Sequence, residues 1–143
     1  MRKRCPVRAR LFVFGPIIFS FFPFLMDQFL LLFHNTAYDE AYWDTSPEAL
    51  QAELAKWNHW IGGIAAQGKL VSAEALRPEG KVLRRQGELV TDGPFTEGKE
   101  VVSGILLLQA ADLDEAMRLA QGCPAFDPRN NGAVEVRPLV KFD

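Results

Sequence analysis

The sequence is poor in the residues that build disulfide frameworks and metal centres. Its 143 residues include two cysteines, Cys5 and Cys123, and two histidines, His34 and His59. Two such cysteines do not make a disulfide framework, and neither histidine lies near a cysteine at metal-ligand spacing. The chain also lacks GxGxxG, the P-loop, HExxH and GxSxG. We therefore expect no metal and no cofactor.

The charge is unevenly distributed along the chain. Residues 1–25 hold five of the 16 cationic side chains and none of the 18 anionic ones. The remaining residues therefore carry eleven cations against 18 anions, a formal net charge of −7. An acidic domain without a basic patch argues against a nucleic-acid partner.

Residues 1–25 combine a basic start with an apolar run from residue 11 to residue 25. This order is typical of a secretory signal peptide, but no small-x-small cleavage site follows, and Pro16 and Pro23 interrupt the run. We favour an upstream extension that is absent from the working protein, with a cytoplasmic domain over residues 26–143. A signal peptide or membrane anchor, which would make the protein exported or membrane-anchored, and a packed extension are the alternatives.

The apolar periodicity of residues 26–143 predicts an alternating order of strands and helices. Strands are expected at 28–34, 69–76, 101–109 and 133–140, with a hairpin at 81–91 turning at Gln86-Gly87. Helices are expected at 46–67 and 112–121, because each has a capping residue before it. The order β-α-β, hairpin, β-α-β predicts an α+β, ferredoxin-like split βαβ fold with a hairpin insertion.

Each predicted helix has an apolar side that we expect to face the core. In the first helix the inward residues are Leu50, Leu54, Trp57, Ile61 and Ile64. In the second they are Leu113, Ala116, Met117 and Ala120.

Two helices cover one face of a sheet, yet residues 29–33 and 105–108 are apolar on both faces. The uncovered face therefore needs a partner, and a second copy of the same sheet is the simplest one. We expect a homodimer that forms through the sheet face.

The turn at Asp92-Gly93-Pro94 leaves a carboxylate without its usual local partner. An aspartate at the head of a turn accepts a hydrogen bond from the backbone N–H two residues on, and Pro94 has no N–H. Asp92 therefore either bonds elsewhere within a solvated turn or is held for binding or proton transfer. With Lys99 and Glu100 nearby in sequence, it is a candidate acid–base group.

The last strand offers a second candidate site. Val134 and Val136 share one face of this strand, so Glu135 and Arg137 share the other. The two charged residues form either an ion pair at the dimer seam or an anion clamp for a substrate. His34, at the end of the first strand, is a weaker candidate for a site role. His59 falls opposite the apolar stripe of its helix, which predicts a surface histidine.

Three segments carry a family resemblance that spans roughly residues 26–139. They are FLLL (29–32), VTDGPF (90–95) with KE (99–100), and GAVEVRP (132–138). Together they resemble the DGPF, or YCII-related, proteins. The resemblance implies a dimeric α+β barrel, in which two ferredoxin-like sheets pack face to face. YCII proteins carry a His–Asp pair thought to resemble an active site, but the spacing of His59 does not match, so that role is not transferred.

Two functions remain open at this point. The first is a cofactor-independent enzyme that acts on a small organic substrate in a cleft. Asp92 would be its acid–base group, and Arg137, Lys99 and Glu135 would bind the substrate. The second is a non-catalytic ligand-sensing or protein-interaction module in bacterial regulation. An enzyme is expected to enclose its site in a closed pocket, whereas a module is expected to present an open apolar groove.

Overall fold

The computed structural model describes most of the chain after residue 25. The described residues are 26–36, 46–77, 79–84, 87–92 and 100–142. Residues 1–25, which we expect to be an extension, lie outside this set.

The described elements follow the predicted order. They are β1 (Asp27–Thr36), α1 (Pro47–Ala66), β2 (Leu70–Ala75), β3 (Lys81–Arg84), β4 (Glu88–Asp92), β5 (Glu100–Ala110), α2 (Leu113–Ala120), a short 3-10 helix (Pro124–Phe126) and β6 (Ala133–Pro138).

Four strands form one antiparallel sheet in the order β2-β5-β1-β6. β5 lies between the parallel strands β1 and β2, as a split βαβ unit requires. β3 and β4 form a separate two-stranded hairpin, inserted between β2 and β5, with its turn at Gly87 (φ +91°). The predicted α+β, ferredoxin-like class is confirmed.

The helix α1 begins and ends at residues that suit those positions. Ser46 is the N-cap, and its hydroxyl accepts a hydrogen bond from the Ala49 N–H at 3.3 Å. Pro47 follows at the first helical position, where its missing N–H costs nothing. Gly68 ends the helix with φ +68°, a conformation that glycine adopts without strain.

The predicted apolar stripe of α1 is wrong in its first half. Leu50 and Leu54 are 41% and 53% exposed. Ile64 is buried, and Trp57 and Ile61 pack against the core. The residues of α1 that contact the core lie in the C-terminal half of the helix, whereas Leu50 and Leu54 lie in its N-terminal half.

The predicted inward face of α2 needs the same kind of correction. Ala116 and Ala120 are buried as expected, but Leu113 and Met117 are close to half exposed. Leu119 also packs against the core, so the inward face of α2 consists of Ala116, Leu119 and Ala120. The Asp112 carboxylate caps α2 by accepting from the Glu115 N–H at 2.8 Å.

The core lies between the sheet and the two helices. It takes alternate residues of the two central strands, and all six are buried: Phe29, Leu31 and Phe33 of β1, and Leu106, Leu108 and Ala110 of β5. Burial of such side chains stabilises the fold by about 1.5–3 kcal/mol for each large residue. In the described chain no helix is long and apolar enough to cross a membrane.

Candidate functional site

The other face of the sheet has an apolar centre that neither helix covers. Leu30 and Leu32 of β1 lie opposite Leu107 and Ile105 of β5, and all four side chains are half-buried. We call these four residues the open-face cluster. Its apolar side chains occupy the face that the sequence predicted would need a partner.

A histidine and a carboxylate meet beside this cluster. His34 Nε2 lies 3.1 Å from Glu135 Oε2. The register places Ala133 opposite His34, and Glu135 is the next residue on the same face of β6, so the two side chains are diagonal neighbours. The side chains are 24% and 46% exposed, respectively.

Arg137 completes the polar edge of this face. Its Nε lies 3.7 Å from Glu135 Oε1, and its side chain is 66% exposed. Glu135 and Arg137 lie on the same face of β6, as the alternation predicted, while the choice between an ion pair at a dimer seam and an anion clamp stays a prediction. Glu135 therefore contacts His34 through one oxygen and Arg137 through the other. We call His34, Glu135 and Arg137 the sheet-face triad, a grouping that the sequence did not predict.

The sheet-face triad has the parts of an acid–base site. When Glu135 accepts the Nε2 proton of His34, the neutral imidazole presents Nδ1 as a proton acceptor. Arg137 presents a guanidinium that can bind a carboxylate or phosphate through two parallel hydrogen bonds. The arrangement can hold an anionic group and move a proton beside it.

A close backbone contact supports His34 from the side of β6. Gly132 precedes the residue that pairs with His34, and its N–H donates to the Ala125 carbonyl at 3.2 Å. A Cβ at this position would lie 2.7 Å from that carbonyl oxygen and 3.2 Å from the His34 carbonyl oxygen. Only glycine fits here without displacing backbone. This role of Gly132 is not predictable from the sequence, because the contact joins distant parts of the chain.

The loop before Gly132 is tied to α1 by a surface ion network. Asp127 Oδ2 accepts from Lys56 Nζ at 3.0 Å and from Arg129 Nη2 at 2.9 Å. Arg129 and Lys56 together hold the pKa of the Asp127 carboxyl well below its usual range. Asn130 Nδ2 donates to Glu53 Oε1 at 3.0 Å. These contacts fix the loop that contacts the end of β1.

The other predicted site residues lie at the end of the hairpin and in the segment that follows it. Asp92 is the last residue of β4 and its backbone pairs with Lys81, but its side chain lies outside the described residues, as does Lys99. The chain returns to the sheet at Glu100, opposite Thr36. That is the end of β1 that carries His34. The roles of Asp92 and Lys99 stay predictions.

The remaining titratable candidates lie away from the open face. Burial raises the pKa of the Cys123 thiol to about 11, which disfavours the reactive thiolate form. His59 is exposed on α1, as its helical position predicted. Among the described residues no group of three or more His, Cys, Asp or Glu side chains could hold a metal ion.

The chain matches one family model and one curated protein. A family model described as YCII-related domain matches residues 28–143, a range that includes the sheet, both described helices and the hairpin. An uncharacterised protein of Rhizobium meliloti (strain 1021) is 36% identical over 88 residues, which cover 54% of this chain and 70% of that relative. Neither description names a reaction.

Proposed function

Because the chain belongs to the YCII-related domain family, we propose that it is a homodimeric, cofactor-independent enzyme that performs acid–base chemistry on a small organic anion. The observation that carries this proposal is the 3.1 Å contact between His34 Nε2 and Glu135 Oε2, with Arg137 beside it. An imidazole oriented by a carboxylate is a common general base. The adjacent guanidinium supplies the charge that would hold an anionic substrate.

The homodimer is proposed from the open-face cluster. Leu30, Leu32, Ile105 and Leu107 form an apolar centre that the described part of the protomer leaves half-buried and that neither described helix covers. Packing two such faces together removes this apolar surface from water. It would also place the sheet-face triad at the rim of an enclosed cleft, where low dielectric strengthens its electrostatic interactions.

Each member of the triad has a distinct proposed role. His34 takes a proton from the substrate, Glu135 orients the imidazole, and Arg137 anchors an anionic group. Asp92, with Lys99, is proposed as a second acid–base group, since the segment after Asp92 rejoins the sheet near His34. The cytoplasmic location and the domain start at Met26 remain predictions.

A ligand-sensing module is the second candidate. The observation that favours it is the open face of the protomer, where Glu135 and Arg137 are 46% and 66% exposed. An enzyme requires a site from which water is largely excluded, whereas a sensor requires only a ligand-dependent change. Both the enzyme and the sensing module are therefore expected to bind a ligand, but only the enzyme is expected to convert it.

Proton exchange from carbon tests the enzyme. The full chain would be incubated in D₂O with small oxo-acids, and loss of the C–H signal next to the carbonyl would be followed by proton NMR. We expect exchange above the solvent rate, and a loss of at least about 100-fold in His34→Asn. Glu79→Gln, an exposed change outside the sheet, is the control and should keep wild-type exchange. Saturable binding without exchange would favour the sensing module.

A further inference from the structure

A groove on the helix side of the sheet is separate from the sheet-face triad. It has a volume of about 410 Å³ and lies between the C-terminal half of α1 and the end of α2. This volume is within the range of small-molecule sites. The residues that line it are His59, Trp60, Gly63, Ile64, Gln67, Arg118, Leu119 and Gly122.

Two consecutive glycines in α1, Gly62 and Gly63, are not explained by packing. Glycine inside a helix costs about 1 kcal/mol relative to alanine. A Cβ at either position would meet no described atom within 4 Å, and neither residue has a positive φ. Gly63 lines the groove and Gly62 does not. The missing side chain of Gly63 therefore leaves one wall of the groove open.

The floor of the groove is a fixed aromatic surface. Trp60 Nε1 donates to the Leu119 carbonyl oxygen at 3.0 Å, so the polar edge of the indole is satisfied within the protein. Ile64 and Leu119 extend the apolar lining. A planar apolar group can stack on such a surface with its polar end directed to the rim.

The rim of the groove carries a guanidinium and an imidazole within an acidic domain. His59 and Arg118 line it, and no carboxylate does. Neither side chain makes a hydrogen bond or ion pair with another described residue. Glu115 lies one turn before Arg118, but its carboxylate already accepts from Lys69 and from the Ala111 N–H. Arg118 contributes to lowering the pKa of the Glu115 carboxyl through its charge, but no hydrogen bond to a described residue holds its guanidinium, which can therefore bind an anion.

We propose that this groove binds a small amphipathic anion, such as an aromatic carboxylate. Its ring would stack on Trp60, and its carboxylate would bind Arg118, with His59 as a second donor. Three observations carry the proposal together: the groove itself, the absence of a side chain at Gly63 in its wall, and the Arg118 guanidinium at a rim whose lining contains no carboxylate.

The test uses naphthalene-2-carboxylate as the probe and the full chain. Binding would be followed by ¹H–¹⁵N NMR at the Trp60 indole and the Gly63 and Gly122 amides. Gly63→Leu should weaken binding by at least about tenfold, because the leucine fills the groove. Gly62→Leu is the matched control. It brings the same gain in helix propensity, and we expect it to leave binding unchanged.

Arg118→Gln tests the anion contact and should weaken binding about two- to fivefold. Neutral naphthalene-2-carboxamide should bind wild type more weakly by a similar factor.

Three results would overturn the proposal. They are equal binding by Gly63→Leu and Gly62→Leu, shifts confined to the open-face cluster, and no binding at about 5 mM probe. If Gly63→Leu fails to fold, Arg118→Glu decides, since a reversed charge at the rim should abolish binding of the carboxylate and spare that of the amide. Equal loss of both ligands would then refute the anion site.

Discussion

His34 and Glu135 are 101 residues apart in the sequence, yet their side chains meet at 3.1 Å on one face of the sheet. The contact exists because β1 and β6, the first and last strands, are neighbours. The position of the imidazole therefore depends on how the two ends of the domain pair.

Glu135→Gln tests the orienting role of this carboxylate. The amide keeps the shape of the side chain but removes its charge, so proton exchange should fall by at least about tenfold. The melting temperature should change by no more than a few degrees, because exposed ion pairs contribute about 0–1 kcal/mol. Glu74→Gln, at the opposite edge of the same face, is the control. Equal activity of the two variants would remove Glu135 from the site.

Leu107→Glu tests the proposed dimer. Leu107 belongs to the open-face cluster, whereas its neighbour Leu108 is fully buried under the helices. We expect Leu107→Glu to give a folded monomer and Leu108→Glu to unfold the chain, since an unpaired charge in a core is strongly unfavourable. Sedimentation and circular dichroism measure the two outcomes. A wild-type monomer at micromolar concentration would contradict the dimer, whose interface should exceed roughly 1,200 Å².

Asp92→Asn tests the predicted acid–base group after the hairpin. Because the sequence predicts that Asp92 heads a turn rather than packs in the core, the carboxylate-to-amide change should cost under about 1 kcal/mol, and the melting temperature should stay within a few degrees. Ligand binding or proton exchange should be lost. A large loss of stability would instead mean that Asp92 serves the turn. Unchanged activity would leave the chemistry to His34 and Arg137.

Gly132→Ala tests the close contact beneath His34. The new methyl group would lie 2.7 Å from a backbone oxygen that cannot rotate away. We expect a loss of about 1–3 kcal/mol in the free energy of unfolding, measured with urea. Gly80→Ala is the matched control, because its Cβ would meet no described atom within 4 Å. Equal stability of the two variants would show that the loop adjusts freely.

The pH dependence of stability tests the contacts of Glu115. The Ala111 N–H and the Lys69 ammonium lower the pKa of its carboxyl below the ordinary value of 4.5. A pKa lower in the folded state means that this contribution is present above pH 4.5 and is lost as the pH falls further. The free energy of unfolding of wild type, measured with urea, should therefore fall as the pH is lowered below 4.5. Glu115→Gln should abolish the part of this pH dependence that is due to Glu115. Lys69→Gln should reduce that part without abolishing it, because the Ala111 N–H still contacts the carboxylate. An unchanged pH profile in Glu115→Gln would contradict the assignment.

The fold was largely predictable because its elements have strong local signals. Apolar runs marked β1 and β5, and capping signals at Thr45-Ser46 and Asp112 marked both helices, of which Ser46 and Asp112 are the N-caps. The burial of individual helical residues was less predictable. Leu50 and Met117 have the correct periodicity, but exposure depends on how far each helix extends over the sheet.

The candidate site was predictable only within one strand. Alternation along β6 placed Glu135 and Arg137 on one face, and the structure agrees. The contact of Glu135 with His34 depends on the register between β1 and β6, which no local pattern reports. The steric role of Gly132 depends in the same way on the path of a distant loop. Long-range geometry is therefore the part that the sequence analysis missed.

The alternation along β1 has a consequence for insertions and deletions. Phe29, Leu31 and Phe33 point to the core, while Leu30, Leu32 and His34 point to the open face. Removing one residue from the middle of the strand would exchange the two sets beyond that point. Such a deletion would therefore disrupt both the core packing and the position of His34. A conservative replacement at the same place would alter only the face of the strand on which that residue lies.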